Sequence, residues 1–341
     1  MYAAPARTFS SRRLEILDAT LRDGSYAVDF QLDENFVRKL LRRLEATPIN
    51  KVEIGHGLGF EAEQSGIKAS NIDLAKWCEI AGQELSTTPW GMFAQPAFSR
   101  LETLADLCKE GMSFVRIGME PEKVPDHLDY LRRATEICDE VYLNLMKTSS
   151  TPAQELPELL RDIPAVAGLY VVDSCGSMMP DDVQRYVTVA KDICPVVGFH
   201  GHDNLGMANA NSIAAFQAGA TIADGTLDGI GRGAGNAETE SLAGIMRVLG
   251  SDRFDYKELA KLAHFCRTNL ELLPEDRNMQ VLGGVIGIHS GFFPLIDQLC
   301  EELAVEPAPL METAVGMARR SAEKNDIRAA AQHLSRQTAA A

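Results

Sequence analysis

Eight short apolar runs recur along the chain, each followed by a longer stretch of helical character, and this alternation limits the fold more than any other feature. The runs are Leu14–Ala19, Lys51–Gly55, Pro89–Phe93, Phe114–Met119, Val141–Met146, Leu169–Asp173, Val196–His200 and Thr221–Leu227. Each is apolar or β-branched over the length of a strand. Between them, stretches such as Glu34–Leu44, Arg100–Lys109, Pro125–Cys138, Pro180–Cys194 and Asn209–Ala218 carry apolar residues at helical spacing. Eight such units over about 235 residues predict an α/β fold of the (β/α)8 TIM-barrel type, whose usual size is ~250 residues. A doubly wound open sheet is the rival, but no Gly-x-Gly-x-x-Gly follows the first strand. Beyond Ser251 only helices are expected, over Tyr256–Leu272, Pro294–Leu303, Pro309–Ala322 and Ile327–Gln337. The expected organisation is an N-terminal extension over 1–13, a catalytic barrel over 14–250 and a helical C-terminal domain over 251–341.

Charge and cysteine content narrow the function classes. Thirty-three Lys and Arg stand against 48 Asp and Glu, a net charge of −15, which leaves nothing to neutralise nucleic-acid phosphates. No apolar stretch approaches the ~18–20 residues of a membrane span, and the N-terminal segment has no apolar core of a signal peptide. The seven cysteines include no Cys-x-x-Cys pair, and an odd count suits free thiols in a reducing compartment. A cytoplasmic protein is expected.

Barrel active sites lie at the C-terminal ends of the strands, and polar residues crowd those ends here. Arg22-Asp23-Gly24-Ser25-Tyr26 follows the first strand, Asp173-Ser174-Cys175-Gly176 the sixth, His200-Gly201-His202 the seventh, and the glycine-rich Gly229–Gly235 stretch the eighth. Residues i and i+2 of a strand point the same way, so His200 and His202 would both face the barrel mouth. Two imidazoles and a carboxylate make a divalent-metal site with open positions, and Asp23 is the natural third ligand. The plainer alternative is a pair of hydrogen-bonded rim histidines. Arg22 could stabilise a developing enolate or carboxylate charge, or form an ordinary ion pair.

Together, Leu17-Asp-Ala-Thr-Leu-Arg-Asp-Gly24, Gly198-Phe-His-Gly-His-Asp-Asn-Leu-Gly206 and Gly229-Ile-Gly-Arg-Gly-Ala-Gly-Asn-Ala-Glu238 resemble the metal-dependent lyase and synthase barrels related to 3-hydroxy-3-methylglutaryl-CoA lyase and isopropylmalate synthase. Within them the chain looks most like the 4-hydroxy-2-oxovalerate aldolases. The resemblance implies that Asp23, His200 and His202 bind the metal, with Asn236 a weaker ligand candidate. It further implies that Arg22 steadies a pyruvate enolate and that Ser174 touches the pyruvyl carboxylate. Mn²⁺ is the expected ion, with Mg²⁺, Co²⁺ or Zn²⁺ as alternatives. Two positions depart from those aldolases: Tyr26 stands where they have an acid–base His, and His289, in Gly284-Val-Ile-Gly-Ile-His-Ser290, where they have a Tyr. Tyr26 and His289 are accordingly the candidate acid–base pair with roles exchanged, or else the exchange marks a different reaction at the same enolate. His56 lies in a turn that matches another segment of these aldolases.

The activity this implies is that of a divalent-metal-dependent pyruvate aldolase, a carbon–carbon lyase cleaving or forming a 4-hydroxy-2-oxo acid. Its small-molecule partners would be a 2-oxo acid and an aldehyde. Alternatives are a Claisen-type enzyme joining an acyl-CoA to a 2-oxo acid, and an inactive barrel serving as a binding subunit. Such synthases often carry a longer C-terminal region than this chain has. A homodimer is the default assembly, and the resemblance adds an acylating aldehyde dehydrogenase as a candidate partner.

Overall fold

Each of the eight apolar runs forms a strand, with no boundary displaced by more than two residues. They are β1 (Glu15–Leu21), β2 (Lys51–Ile54), β3 (Trp90–Ala94), β4 (Phe114–Met119), β5 (Glu140–Leu145), β6 (Gly168–Asp173), β7 (Val197–Gly201) and β8 (Ile222–Gly225). All pairings are parallel and the sheet closes, with Leu17 of β1 opposite Asp224 of β8. The computed structural model describes residues 14–340, and the extension expected over 1–13 lies outside the described residues. Among the described residues no helix is long and apolar enough to cross a membrane.

The helices between strands are α1 (Glu34–Glu45), α2 (Leu74–Glu84), α3 (Leu101–Lys109), α4 (Leu128–Ile137), the single turn α5 (Leu156–Leu159), α6 (Pro180–Ile193), α7 (Ala208–Ala218) and, after β8, α8 (Thr239–Val248). Helix α1 shows why they lie against the barrel. The Asp33 side chain caps its first turn by accepting from the Phe36 amide, and Phe36, Val37, Leu40, Leu41 and Leu44 make one buried stripe.

Inside the barrel the side chains form layers, as this architecture requires. Leu17, Phe114, Tyr142, Tyr170 and Ile222 fill the floor. Room for two of these rings comes from glycine: a Cβ on Gly198 would lie 2.4 Å from the Tyr170 ring, and one on Gly91 2.3 Å from the Phe114 carbonyl oxygen. Above the floor sits a layer of buried charge from Glu53, Arg116 and Asp224, and above that the mouth.

The remaining helices are α9 (Tyr256–Asn269), α10 (Arg277–Ile286), α11 (Phe293–Leu303), α12 (Pro307–Met317) and α13 (Lys324–Ala340). Although α9 lies beyond residue 250, its Leu259, Leu262, Ala263 and Cys266 pack into the barrel's own core. A second apolar cluster starts at Met279 and includes Ile288, Phe293, Ile296, Leu310, Met311, Ile327 and Ala331. This unit is seated on the mouth of the barrel. Asn204 Nδ2 donates to the Gln280 carbonyl at 3.0 Å, Lys147 Nζ donates to Ser321 Oγ at 3.0 Å, and Arg320 pairs with Glu155. Helix α10 was not expected from sequence, because Gly283 and Gly284 weaken its helical signal. Both serve close approach: a Cβ on Gly284 would fall 2.9 Å from Leu205 and 3.0 Å from Asn204, and one on Gly283 2.6 Å from the Phe293 ring.

The carboxylate of Glu45, at the end of α1, collects five donors from the segment that leads into β3. They are the amides of Ser86, Thr87 and Thr88 and the hydroxyls of Ser86 and Thr87, at 2.6–3.0 Å. Burial opposes its ionisation, but the hydrogen bonds from Ser86, Thr88 and Thr87 outweigh it and hold the carboxyl at about 2. A folded pKa below the unfolded value adds stability that is complete above the unfolded value and is lost as pH falls through the folded one. Glu45→Gln is therefore expected to cost about 1–2 kcal/mol at pH 7, allowing for solvent screening. In urea melts the gap from wild type should close between pH 4.5 and 2.

Candidate metal centre

The chain leaves β1 in a short 3-10 turn, Asp23–Val28, which carries Asp23 and Tyr26 over the mouth. His200 is the penultimate residue of β7, and His202 follows the strand. Ligand atoms of Asp23, His200 and His202 lie within 4.8 Å of one another, and all three residues are buried. The His200 Nε2 to Asp23 Oδ2 distance is 3.7 Å.

Each imidazole is held through its other nitrogen. His200 Nδ1 donates to Asp224 Oδ2 at 2.8 Å, and His202 Nδ1 donates to the Gly235 carbonyl at 3.2 Å. That fixes the tautomer and leaves both Nε2 lone pairs for a metal. Burial pushes the His202 imidazole down to about 4, so it is neutral, the ligating form, near pH 7. Burial alone would raise the Asp23 carboxyl, but Arg22, His202, His200 and Asn236 hold it below the ordinary carboxylate range. Asn236 Nδ2 donates to Asp23 Oδ2 at 2.5 Å, while its Oδ1 is buried without a partner. Two imidazoles, a carboxylate and an orphaned amide oxygen are a donor set that fits a divalent cation of the Mn²⁺, Co²⁺ or Zn²⁺ type.

Beneath the ligands runs a chain of charge that sequence reading did not anticipate. Arg22 donates from Nε to Glu53 at 2.6 Å and from Nη1 to Asp23 at 2.9 Å. Arg116 donates from Nε to Glu53 at 2.7 Å and also pairs with Asp224. Two guanidinium groups thus face three carboxylates, leaving a negative balance where a cation would sit. The signal was present: Glu53, Arg116 and Asp224 are charged residues at inward positions of largely apolar strands.

The mouth encloses a cavity of about 250 Å³, sized for a small metabolite rather than for the larger ligands that fill ~300–1,000 Å³. Every site residue expected from sequence lines it except Asn236, which lies behind Asp23; Glu120, Asn144, Lys147, Arg232 and Phe292 join them. Ser174 Oγ accepts from the Lys147 amide at 2.8 Å. Tyr26 and His289 both face this cavity, although they come from opposite ends of the chain. Burial raises the Tyr26 phenol, and burial reinforced by Arg232 and Lys147 holds the His289 imidazole well below its ordinary value. Gly291 N–H donates to His289 Nδ1 at 3.2 Å, so the neutral ring carries its proton on Nε2.

Two other candidates fall away. His56 is occupied by the Lys68 carbonyl at 2.9 Å and the Leu58 amide at 3.1 Å, stacks on Phe30, and is not in the cavity wall. The buried Cys175 thiol is pushed up to about 12 by burial, which leaves it inert.

Comparison with known proteins agrees with this geometry. The HMGL-like family profile matches residues 107–268. A 4-hydroxy-2-oxovalerate aldolase of Spirochaeta aurantia is 31% identical over 92% of this chain and 93% of its own length. An oxaloacetate decarboxylase of Mycobacterium tuberculosis is 37% identical over 71% of this chain and 73% of its own. Among solved structures, the N-terminal domain of a putative aldolase from Bacteroides vulgatus superposes with a TM-score of 0.70 at 22% identity, covering 84% of this chain and 97% of that one. The carboxyl transferase domain of Rhizobium etli pyruvate carboxylase with pyruvate gives 0.75 at 14% identity, over 95% of this chain and 62% of that one. These last two show the fold. The chain belongs to the HMGL-like family. Within it, the chain is an enzyme of the carbon–carbon lyase class, similar to the 4-hydroxy-2-oxovalerate aldolases.

Asp224 does not line the cavity but orients His200. Asp224→Asn is expected to weaken Mn²⁺ binding about 10- to 100-fold, read by titrating metal-stripped protein. The melting temperature should fall as well, because Arg116 loses part of its buried charge pairing.

Proposed function

We propose that this protein is a divalent-metal-dependent aldolase that cleaves or forms the C3–C4 bond of a 4-hydroxy-2-oxo acid, with pyruvate as one product and an aldehyde as the other. The observation that carries the reading is the convergence of Asp23, His200 and His202 at the barrel mouth beside Arg22. A metal ion held there would supply Lewis-acid polarisation of the 2-oxo group. Mn²⁺ is the ion we propose, because a mixed set of imidazole and carboxylate donors takes it more readily than Mg²⁺, and a cytoplasmic setting suits the free cysteines.

The chain's own groups divide the remaining work. Arg22 uses Nε and Nη1 on Glu53 and Asp23, which leaves Nη2 to stabilise negative charge on the C2 oxygen. The Ser174 hydroxyl, held as an acceptor by the Lys147 amide, keeps its own hydrogen for the pyruvyl carboxylate. Tyr26 and His289 both offer donors in their resting protonation states, and we assign them to the substrate's 4-oxygen. In aldol formation one of these donors gives its proton to the 4-oxygen, and in cleavage the same group, in its deprotonated form, takes the hydroxyl proton back. The exchange of residue types relative to the aldolases is thus a redistribution of one task between the barrel turn and the helical unit.

Pyruvate release from 4-hydroxy-2-oxovalerate tests the reading. Metal-stripped protein should be inactive, Mn²⁺ should restore release, and His200→Ala should abolish it; equal release with and without metal would overturn the proposal. Tyr26→Phe and His289→Gln are each expected to lower kcat by roughly 10²–10⁴-fold. Exchange of pyruvate methyl protons into deuterated water, which needs only the pyruvyl half of the site, should persist in both variants.

A further inference from the structure

Three cations line the cavity beyond the metal ligands, and two of them are already neutralised. Arg22 is paired with Glu53 and Asp23. Lys147 is paired with Glu120 at 2.7 Å and, more loosely, with Glu323 at 3.7 Å. The third, Arg232, has no carboxylate within ion-pairing distance among the described residues. Its guanidinium lies over the Tyr26 ring at 4.6 Å from the centroid and packs so closely on Gly291 that a Cβ there would fall 2.0 Å from Nη2. The acids of the adjoining cleft, Glu275, Asp276 and Asp297, line its other side without reaching it. In a chain with net charge −15, this half-buried guanidinium at the mouth of a cavity has an aromatic neighbour but no carboxylate to balance its charge.

Its position says which part of a substrate it would meet. Arg232 sits beside Tyr26, and it meets His289 at Gly291, where a Cβ would lie 2.0 Å from Arg232 Nη2 and 3.0 Å from His289 Nδ1. It is therefore on the side of the cavity that handles the 4-oxygen, whereas Ser174 and Arg22 serve the pyruvyl half. We propose that Arg232 binds a second carboxylate, carried on the far side of C4, so that the preferred substrates are 4-hydroxy-2-oxo dicarboxylates and the product released with pyruvate is itself an oxo acid. This rests on the aldolase reading above. A guanidinium offers paired N–H donors to a carboxylate, and a bound anion would complete the charge balance that the protein leaves open. An Arg-bound carboxylate is kept ionised and in place. In these diacids the distal carboxylate is on C4 and not β to the 2-oxo group, so cleavage between C3 and C4 leaves it intact on the oxo-acid product.

The test compares 4-hydroxy-2-oxoglutarate with 4-hydroxy-2-oxovalerate, which replaces the distal carboxylate by a methyl group, using the Mn²⁺-loaded protein. Wild type should favour the diacid in kcat/KM by roughly 10²-fold. Arg232→Gln should collapse that ratio towards one, and Arg232→Lys, which keeps the charge, should retain part of it. Equal losses on both substrates would assign Arg232 to the shared half or to holding Tyr26, and would overturn the proposal, as would an unchanged ratio. Binding of two unreactive 2-oxo acids, 2-oxoglutarate and 2-oxopentanoate, measured by calorimetry, separates this failure from failure of the aldolase reading. If neither 4-hydroxy acid is cleaved but 2-oxoglutarate binds more tightly and loses that advantage in Arg232→Gln, the reaction assignment fails and the carboxylate site stands. No preference in binding or in turnover overturns the site.

Discussion

The buried charge layer of Glu53, Arg116 and Asp224 is the interaction on which the rest of the mouth depends. Taking such groups out of water is costly, and a well-packed apolar layer would serve stability as well or better. What the charges supply is direction. Arg116 is clamped between Glu53 and Asp224, which leaves Asp224 Oδ2 set to receive His200 Nδ1, while Glu53 reaches up to Arg22 and through it to Asp23. The orientations of His200 and Asp23 are thus tied to strand residues, and the barrel's closure sets that part of the site's geometry.

Much of the architecture was legible in the sequence because barrel strands buried on both faces read as short continuous apolar runs. The candidate metal-site cluster was legible for a related reason: His200 and His202 occupy alternate positions at a strand end, and Asp23 sits at the corresponding end of the first strand. The charge layer was harder to see. Glu53, Arg116 and Asp224 each look like an isolated exception within its own strand, and only the closed register brings them together. Helix α10 was hidden by its glycine pair, which lowers helical propensity in order to let the helix approach Asn204 and Leu205. Arg232 lay in plain view within a glycine-rich stretch that reads as a turn, but its lack of a carboxylate partner is a property of the folded chain.

The helical unit completes the enclosure that the barrel begins. His289 and Phe292 enter the cavity wall from the segment between α10 and α11, and Lys147 joins the two sides through Glu120 and Ser321. The site is therefore assembled from residues more than 260 positions apart in sequence, Tyr26 and His289 among them.

The glycine-rich loop after β8 has a part in this that its composition conceals. The Gly235 carbonyl receives both the Asp203 amide, at 3.0 Å, and the Nδ1 proton of His202, and Gly235 itself holds a positive φ of 82° with no space for a side chain beside the Gly229 carbonyl. One backbone oxygen therefore decides which nitrogen of His202 is left free to ligate. A descendant of this chain could keep Asp23, His200 and His202 unchanged, lose Gly235, and forfeit the proposed metal site while all three residues still looked intact. Competence to hold an ion is in that sense inherited through a peptide carbonyl, a trait that a comparison of side chains alone would pass over.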